Sequence, residues 1–333
     1  MKPEIFGQIQ GQNVLLYTLK NAEATVRIMT RGATIVNFLV HGRDVVGGFD
    51  KLEDYLTDTS HQGALIGRVA NRVGGACFTM DGRQYHLPKN DGENCLHGGD
   101  GFDHRIFTVR EYDEEHITLT YTAADGEEGF PARLTVEVIY TLVGTALMID
   151  YRAIPDGKTP VALTNHSYFN LDGFGGTIEN HVATIYADKI TSVDAHLIPD
   201  GRHPEVAGTV FDFRTPHAIG ERLSADFIGY DHNYVLRGEP RQTVMGRDLA
   251  LAAEVSGRDL TMKVYTDQPG VQFYIGNFLG GAPDFRGGVK KIRHGAFCLE
   301  TQTEPDGINH GVGFYNKGEV YRHTTVYALE KKG

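Results

Sequence analysis

Residues 116–122 read His-Ile-Thr-Leu-Thr-Tyr-Thr. Ile117, Leu119 and Tyr121 fall on one side of an extended chain, and Thr118, Thr120 and Thr122 on the other. This period of two marks a half-buried strand. The pattern continues downstream, where Leu134, Val136, Val138 and Tyr140 alternate with Arg133, Thr135 and Glu137. A Gly144-Thr145 turn then leads into Leu147, Ile149 and Tyr151, which predicts a hairpin. Upstream, residues 77–87 read CFTM-DG-RQYHL, and Asp81-Gly82 supplies the positive φ angles of a two-residue hairpin turn. Residues 33–40, ATIVNFLV, are nearly continuous apolar, as expected of a strand covered on both faces.

The same signal reaches the end of the chain in TVRIMT (25–30), DLTMKVYT (259–266), GVQFYIGNFL (270–279), AFCLET (296–301) and VYRHTTVYAL (320–329). Helical candidates are few and short. One is KLEDYL from Lys51. The other is TPHAIGERL from Thr215, with Thr215 as N-cap and Pro216 as the first helical residue. Strands spread from end to end predict an all-β protein, a large and mostly antiparallel β-sandwich with few short helices, as a single domain over residues 1–333. The alternating helices of a TIM barrel are missing.

The 333 residues carry 32 Lys+Arg against 43 Asp+Glu, a formal net charge of -11. A nucleic acid or an anionic membrane would want a basic face, so neither is expected as a partner. No apolar run approaches the ~18 residues of a membrane span, and the N-terminal MKPEIFGQIQGQN has no signal-peptide core. Cys77, Cys95 and Cys298 are odd in number and form no CxxC pair. That suggests neither a disulfide framework nor a thiolate zinc site, and it points to a reduced cytoplasm. Cys77 reads as a small core residue.

Six polar clusters stand out: Gly67–Arg72, Asn94–Gly99 followed by Gly101-Phe102-Asp103, Thr164–Leu171, Tyr230–Tyr234, Gln268–Tyr274 and Leu299–Gln302. Each has an ordinary structural reading. His97 and His166 can be hydrogen-bonded strand residues, Arg72 a surface ion-pair partner, Asp231 a cap, and Gln272 a solvent-facing strand residue. Glu300 is the least ordinary, because Phe297 and Leu299 predict a buried strand around it, and a buried carboxylate needs a partner or a task. Metal motifs such as HxH or HExxH are missing, as are the GxSxG elbow and the phosphate-binding GxxxxGK[ST] loop.

In chain order, GRVANR, NCLHGGDGFD, TNHSYFNL, YDHNYVL, QPGVQFYIGNFL and a late ETQ strand strongly resemble the aldose 1-epimerase (galactose mutarotase) family. The resemblance runs from about Gly7 to the C-terminus and implies the family's β-sandwich with an open cleft across one sheet. It implies that His166 is the general acid and Glu300 the general base. It further implies that His97 holds and polarises the sugar, and that Asn71, Arg72, Asp231 and Gln272 bind hydroxyls. The implied reaction interconverts the α and β anomers of a free aldose such as galactose or glucose. The expected partner is a small monosaccharide, with no cofactor and no metal, and the protein is expected to act as a monomer or homodimer. An acidic cleft formed by Asp231 and Glu300 would favour protonated His166.

The chain departs from the family at ETQTEPD, where ETQHYPD is common, at Gly311 after Asn309-His310, and at Asp91 in place of an Asn. Three other readings compete. A glycosidase would pair Glu300 with Asp231. A sugar-phosphate mutarotase would want several Lys or Arg near the cleft, and the matched motifs supply Arg68 and Arg72 alone. A non-catalytic sugar binder would not need an acid and a base together. The chain has no Trp, so any stacking on a pyranose face falls to Phe or Tyr.

Overall fold

The long amphipathic strands pair as their alternation requires. In the computed structural model, which describes residues 2–332, the largest sheet has ten strands. In spatial order these are Thr108–Tyr112, His116–Ala123, Leu134–Val143, Ala146–Pro155, Tyr321–Lys331, Leu260–Thr266, Arg247–Ser256, Val182–Ile185 and His217–Ala218, with Arg241–Val244 beside Arg247–Ser256. Leu134, Val136, Val138, Tyr140 and Leu142 are fully buried while the residues between them are not. Each such burial contributes about 1.5–3 kcal/mol. The hairpin at Gly144-Thr145 is present, with Val143 opposite Ala146. At Asp81-Gly82 both residues have positive φ, at 51° and 78°, and Met80 pairs Arg83.

A five-stranded sheet at the N-terminus, Glu4–Ile9 to Arg43–Asp44, includes the predicted Thr34–Val40 strand, which is buried on both faces apart from Leu39. A four-stranded sheet runs in the order Ala187–Ile190, Asp231–Leu236, Gly270–Tyr274, Cys298–Gln302. Its ladders, like those of the two larger sheets, are antiparallel. One core cluster joins all three sheets, for example Val26 and Phe38, Val136 and Val264, and Val271, Phe273 and Leu299.

Two local expectations are corrected. The helix predicted from Thr215 does not start there. His217–Ala218 is captured as a short strand by Val182–Ala183, and only a 3₁₀ turn, Ile219–Arg222, follows, with Ala218 at its cap and no side-chain cap bond. Gly220 in that turn further weakens it as a helix. Cys77 is half-buried rather than core, because the inward positions of its strand are Phe78 and Met80. The helix near Lys51 is present as Leu52–Thr57. Among the described residues no helix is long and apolar enough to cross a membrane.

Candidate active site

The four-stranded sheet separates its faces by the period of two. Tyr234, Val271, Phe273 and Leu299 point into the core. On the opposite face, Asn233 pairs Gln272 and Gln272 pairs Glu300, so three polar side chains stand in one row across the sheet. One row along, Asp231 pairs Tyr274. Gln272 Nε2 donates to Asp231 Oδ1 at 2.7 Å. Gln272, expected as either solvent-facing or sugar-binding, is 4% exposed and lies against this cleft.

His166 arrives from another part of the chain. Thr164–Asn165 pairs with Leu65–Ile66. The His166 amide donates to Ala64 O at 2.9 Å, and the Gly63 amide donates to His166 O at 2.9 Å. Asn165 Nδ2 donates to Gly63 O, while Ser167 Oγ donates to Asn165 Oδ1 at 2.6 Å. Mutual amide bonds between Phe169 and Phe297 then dock this segment beside the Glu300 strand. His166 Nε2 consequently lies 3.7 Å from Glu300 Oε1.

His97 and Asn71 hold each other. The His97 amide donates to Asn71 O at 3.0 Å, and the Asn71 amide donates to His97 Nδ1 at 3.2 Å. With Nδ1 accepting, a neutral His97 carries its proton on Nε2 and can donate it into the cleft. Arg72, paired with Leu96 across the adjoining two-stranded ladder, donates from Nε to Asp91 Oδ2 at 2.7 Å. The guanidinium is thus both an ion-pair partner and a wall of the cleft. Asp91, the departure from the family pattern, is what fixes it.

All seven expected residues, Asn71, Arg72, His97, His166, Asp231, Gln272 and Glu300, line one open cleft of about 230 Å³. Arg68 does not. It is buried elsewhere, donating to Pro131 O, Ala132 O and Thr159 Oγ1. Cleft residues to which the sequence reading gave no role include His61, Tyr168, Tyr274 and Phe278. His61 Nδ1 is 2.8 Å from Asp103 Oδ2, and its ring centre lies 4.8 Å from that of His97 and 5.8 Å from that of His166. Phe278, at 77% exposure, is an aromatic group on the cleft wall.

Burial governs the electrostatics. It raises the Glu300 carboxyl well above the usual carboxylate range, Asp231 adds to this, and Arg72 opposes it. Burial, helped by His61, lowers His166 to about 3. This runs against the expectation that acidic neighbours would favour protonated His166, because desolvation outweighs them. For this pair, burial favours the neutral carboxyl of Glu300 and the neutral imidazole of His166. Glu300 Oε2 is buried without a hydrogen-bond partner, a costly state that a hydroxyl-bearing ligand would relieve.

His97, His166 and Glu300 also place ligating atoms within 4.8 Å of one another, a spacing a metal ion could bridge. The Asn71 amide on His97 Nδ1 leaves the inward Nε2 protonated, so the cluster is dressed for hydrogen bonding rather than coordination.

Residues 15–328 match the model of the family described as "Aldose 1-epimerase". The chain is 42% identical to the galactose mutarotase of Bos taurus, covering 97% of this chain and 96% of the relative. It is 36% identical to the aldose 1-epimerase of Escherichia coli strain K12, covering 95% of each. Its fold is similar to the crystal structure of galactose 1-epimerase from Lactobacillus acidophilus NCFM, with a TM-score of 0.88, 28% identity, and 100% and 99% of the two chains covered. On a match that spans nearly all of its length and takes in every motif of the cleft, the chain belongs to the aldose 1-epimerase family.

Proposed function

We propose that this protein interconverts the α and β anomers of free aldoses such as galactose and glucose, with His166 and Glu300 as its proton-transfer pair. The observation that carries the assignment is the 3.7 Å gap between His166 Nε2 and Glu300 Oε1 in a cleft otherwise lined by hydroxyl-binding groups. The protein is an isomerase by family. Its three cysteines are free, which supports a reducing compartment.

Mutarotation opens the hemiacetal and closes it on the other face. A base takes the proton of the C1 hydroxyl while an acid gives one to the ring oxygen. The C1–ring oxygen bond breaks, leaving an aldehyde. Rotation about C1–C2 then presents the opposite carbonyl face, and the same two groups run in reverse. One proton shared between two groups suffices, because each turnover returns it.

Burial alone favours that proton on Glu300 over His166. Sugar hydroxyls donating to the carboxylate stabilise its charged form and lower its pKa. The proton then passes to His166, which becomes the acid toward the ring oxygen, and Glu300 becomes the base toward the C1 hydroxyl. His97 Nε2–H and the Arg72 guanidinium supply further donors, and Asp231 and Gln272 Oε1 supply acceptors. Polarimetry of freshly dissolved α-galactose tests the reading. Equilibration faster than buffer supports it, and equilibration no faster than buffer overturns it.

A further inference from the structure

His61 separates the sugar cleft from a second cavity. This cavity holds about 330 Å³ and is lined by Arg31, Thr34, Asn90, Asp103 and His104, among others. Thr59, His61 and Leu96 line both spaces. The anomeric chemistry uses none of the residues special to the second one.

Arg31 sets its character. The residue bridges to Ile106, and its carbonyl accepts the Thr34 amide at 3.3 Å and the Thr34 hydroxyl at 2.8 Å. These bonds hold it at 6% exposure. Among the described residues, its guanidinium makes no hydrogen bond and no ion pair within 4 Å, yet it lines the cavity.

The neighbouring charges are otherwise matched. Asp58 pairs with Lys291 at 2.5 Å. Asp103 takes His61 at 2.8 Å and lies 3.4 Å from His104. Asp100 takes both Arg105 and His104 at 2.9 Å. Burial lowers the pKa of Arg31, and the more distant Asp103 and Asp100 offset this only in part. No Arg31 nitrogen is sealed from solvent without a partner, so its unbonded donors open onto the cavity. The planar fork of donors on a guanidinium matches a carboxylate or phosphate in both shape and charge.

We infer that this cavity is an oxyanion subsite in which Arg31 receives a carboxylate or phosphate, borne by an acidic aldose whose ring lies in the adjoining cleft or free in solution. The acidic-aldose form rests on the reading of that cleft as an aldose site. A uronic acid or a sugar phosphate would place its ring against His166 and Glu300 and its charge beyond His61.

The test uses wild type, Arg31→Gln and Arg31→Lys. Thermal shift and calorimetry with inorganic phosphate, against chloride at equal ionic strength, read the free anion. Polarimetric kcat/KM for glucuronate relative to glucose reads the sugar-borne one. Phosphate stabilisation that is lost in Arg31→Gln supports the free form. A glucuronate-to-glucose ratio falling about tenfold in Arg31→Gln, with part restored in Arg31→Lys, supports the sugar-borne form. If phosphate gives wild type no shift or heat beyond chloride, and the ratio is unmoved in Arg31→Gln, the inference is overturned. Stabilisation that persists equally in Arg31→Gln overturns it as well. Calorimetry on wild type decides the matter if Arg31→Gln does not fold. A wild type inactive on galactose would sink the reading of the cleft, and the phosphate arm would still decide the oxyanion site.

Discussion

His166 Nε2 stands 3.7 Å from Glu300 Oε1, and the two side chains are 7% and 3% exposed. The separation is too long for a direct hydrogen bond and short enough for the adjacent ring oxygen and C1 hydroxyl of one sugar to engage the pair. Two buried titratable groups this close form a compact acid–base device. Sheet register places the glutamate, and the docking of a separate segment places the histidine.

Removing either member should cost a proton-transfer step. Glu300→Gln and His166→Asn are each expected to lower the polarimetric kcat by roughly 10²–10⁴-fold. Both variants should stay folded in a thermal melt, since each keeps a similar shape. Full activity in Glu300→Gln would remove Glu300 from its role. Loss of fold rather than rate in His166→Asn would make that histidine structural.

The pH profile follows from the same burial. The active pair holds one proton, so activity is lost when His166 gains a second and when Glu300 gives up the first. His166 is lowered to about 3, so the acidic limb of kcat/KM for the free enzyme should fall below the ordinary histidine range. Glu300 is raised, so the alkaline limb should lie well above the ordinary carboxylate range. His61 contributes to the lowering of His166. His61→Phe should therefore move the acidic limb toward higher pH. A limb that does not move would show that desolvation alone sets it.

Much of this was legible in the chain. The strand at 134–143 announced itself because one face is core and the other is not. The seven motif residues converge because their order is diagnostic. His61 and Arg31 were not legible. His61 sits in a loop with no periodicity, at a positive φ of 55°, and only the fold brings it beside His97. Arg31 follows a strand as an unremarkable basic residue, and its isolation is visible only once the charges around it are matched. The upward shift of Glu300 was likewise hidden, since desolvation depends on how deep that residue lies.

Arg72 should bind rather than react. Its Nε is committed to Asp91 at 2.7 Å, which leaves the remaining guanidinium donors for sugar hydroxyls. Arg72→Met is expected to raise KM for galactose by about tenfold or more, as the loss of charge-assisted hydrogen bonds implies. Asp91→Asn keeps the cation but frees it, and should raise KM less. A fall in kcat at unchanged KM in Arg72→Met would instead assign Arg72 to the chemical step.

Gly63 joins fold and site in one residue. Its φ is +69°, its amide donates to His166 O, and its carbonyl accepts from both the Ile35 amide and Asn165 Nδ2. A Cβ built there would lie 2.1 Å from Ile35 O, which is backbone and cannot swing away. Gly63→Ala thus combines a left-handed conformation with a steric clash, and is expected to destabilise the fold by about 2–4 kcal/mol. Relief of the clash must push the loop outward, carrying the partners that fix His166. Assayed well below its lowered melting temperature, the variant should lose kcat beyond the fraction unfolded. Stability lost with kcat intact would mean that His166 is held by Ala64 and the Phe169–Phe297 pairing without Gly63.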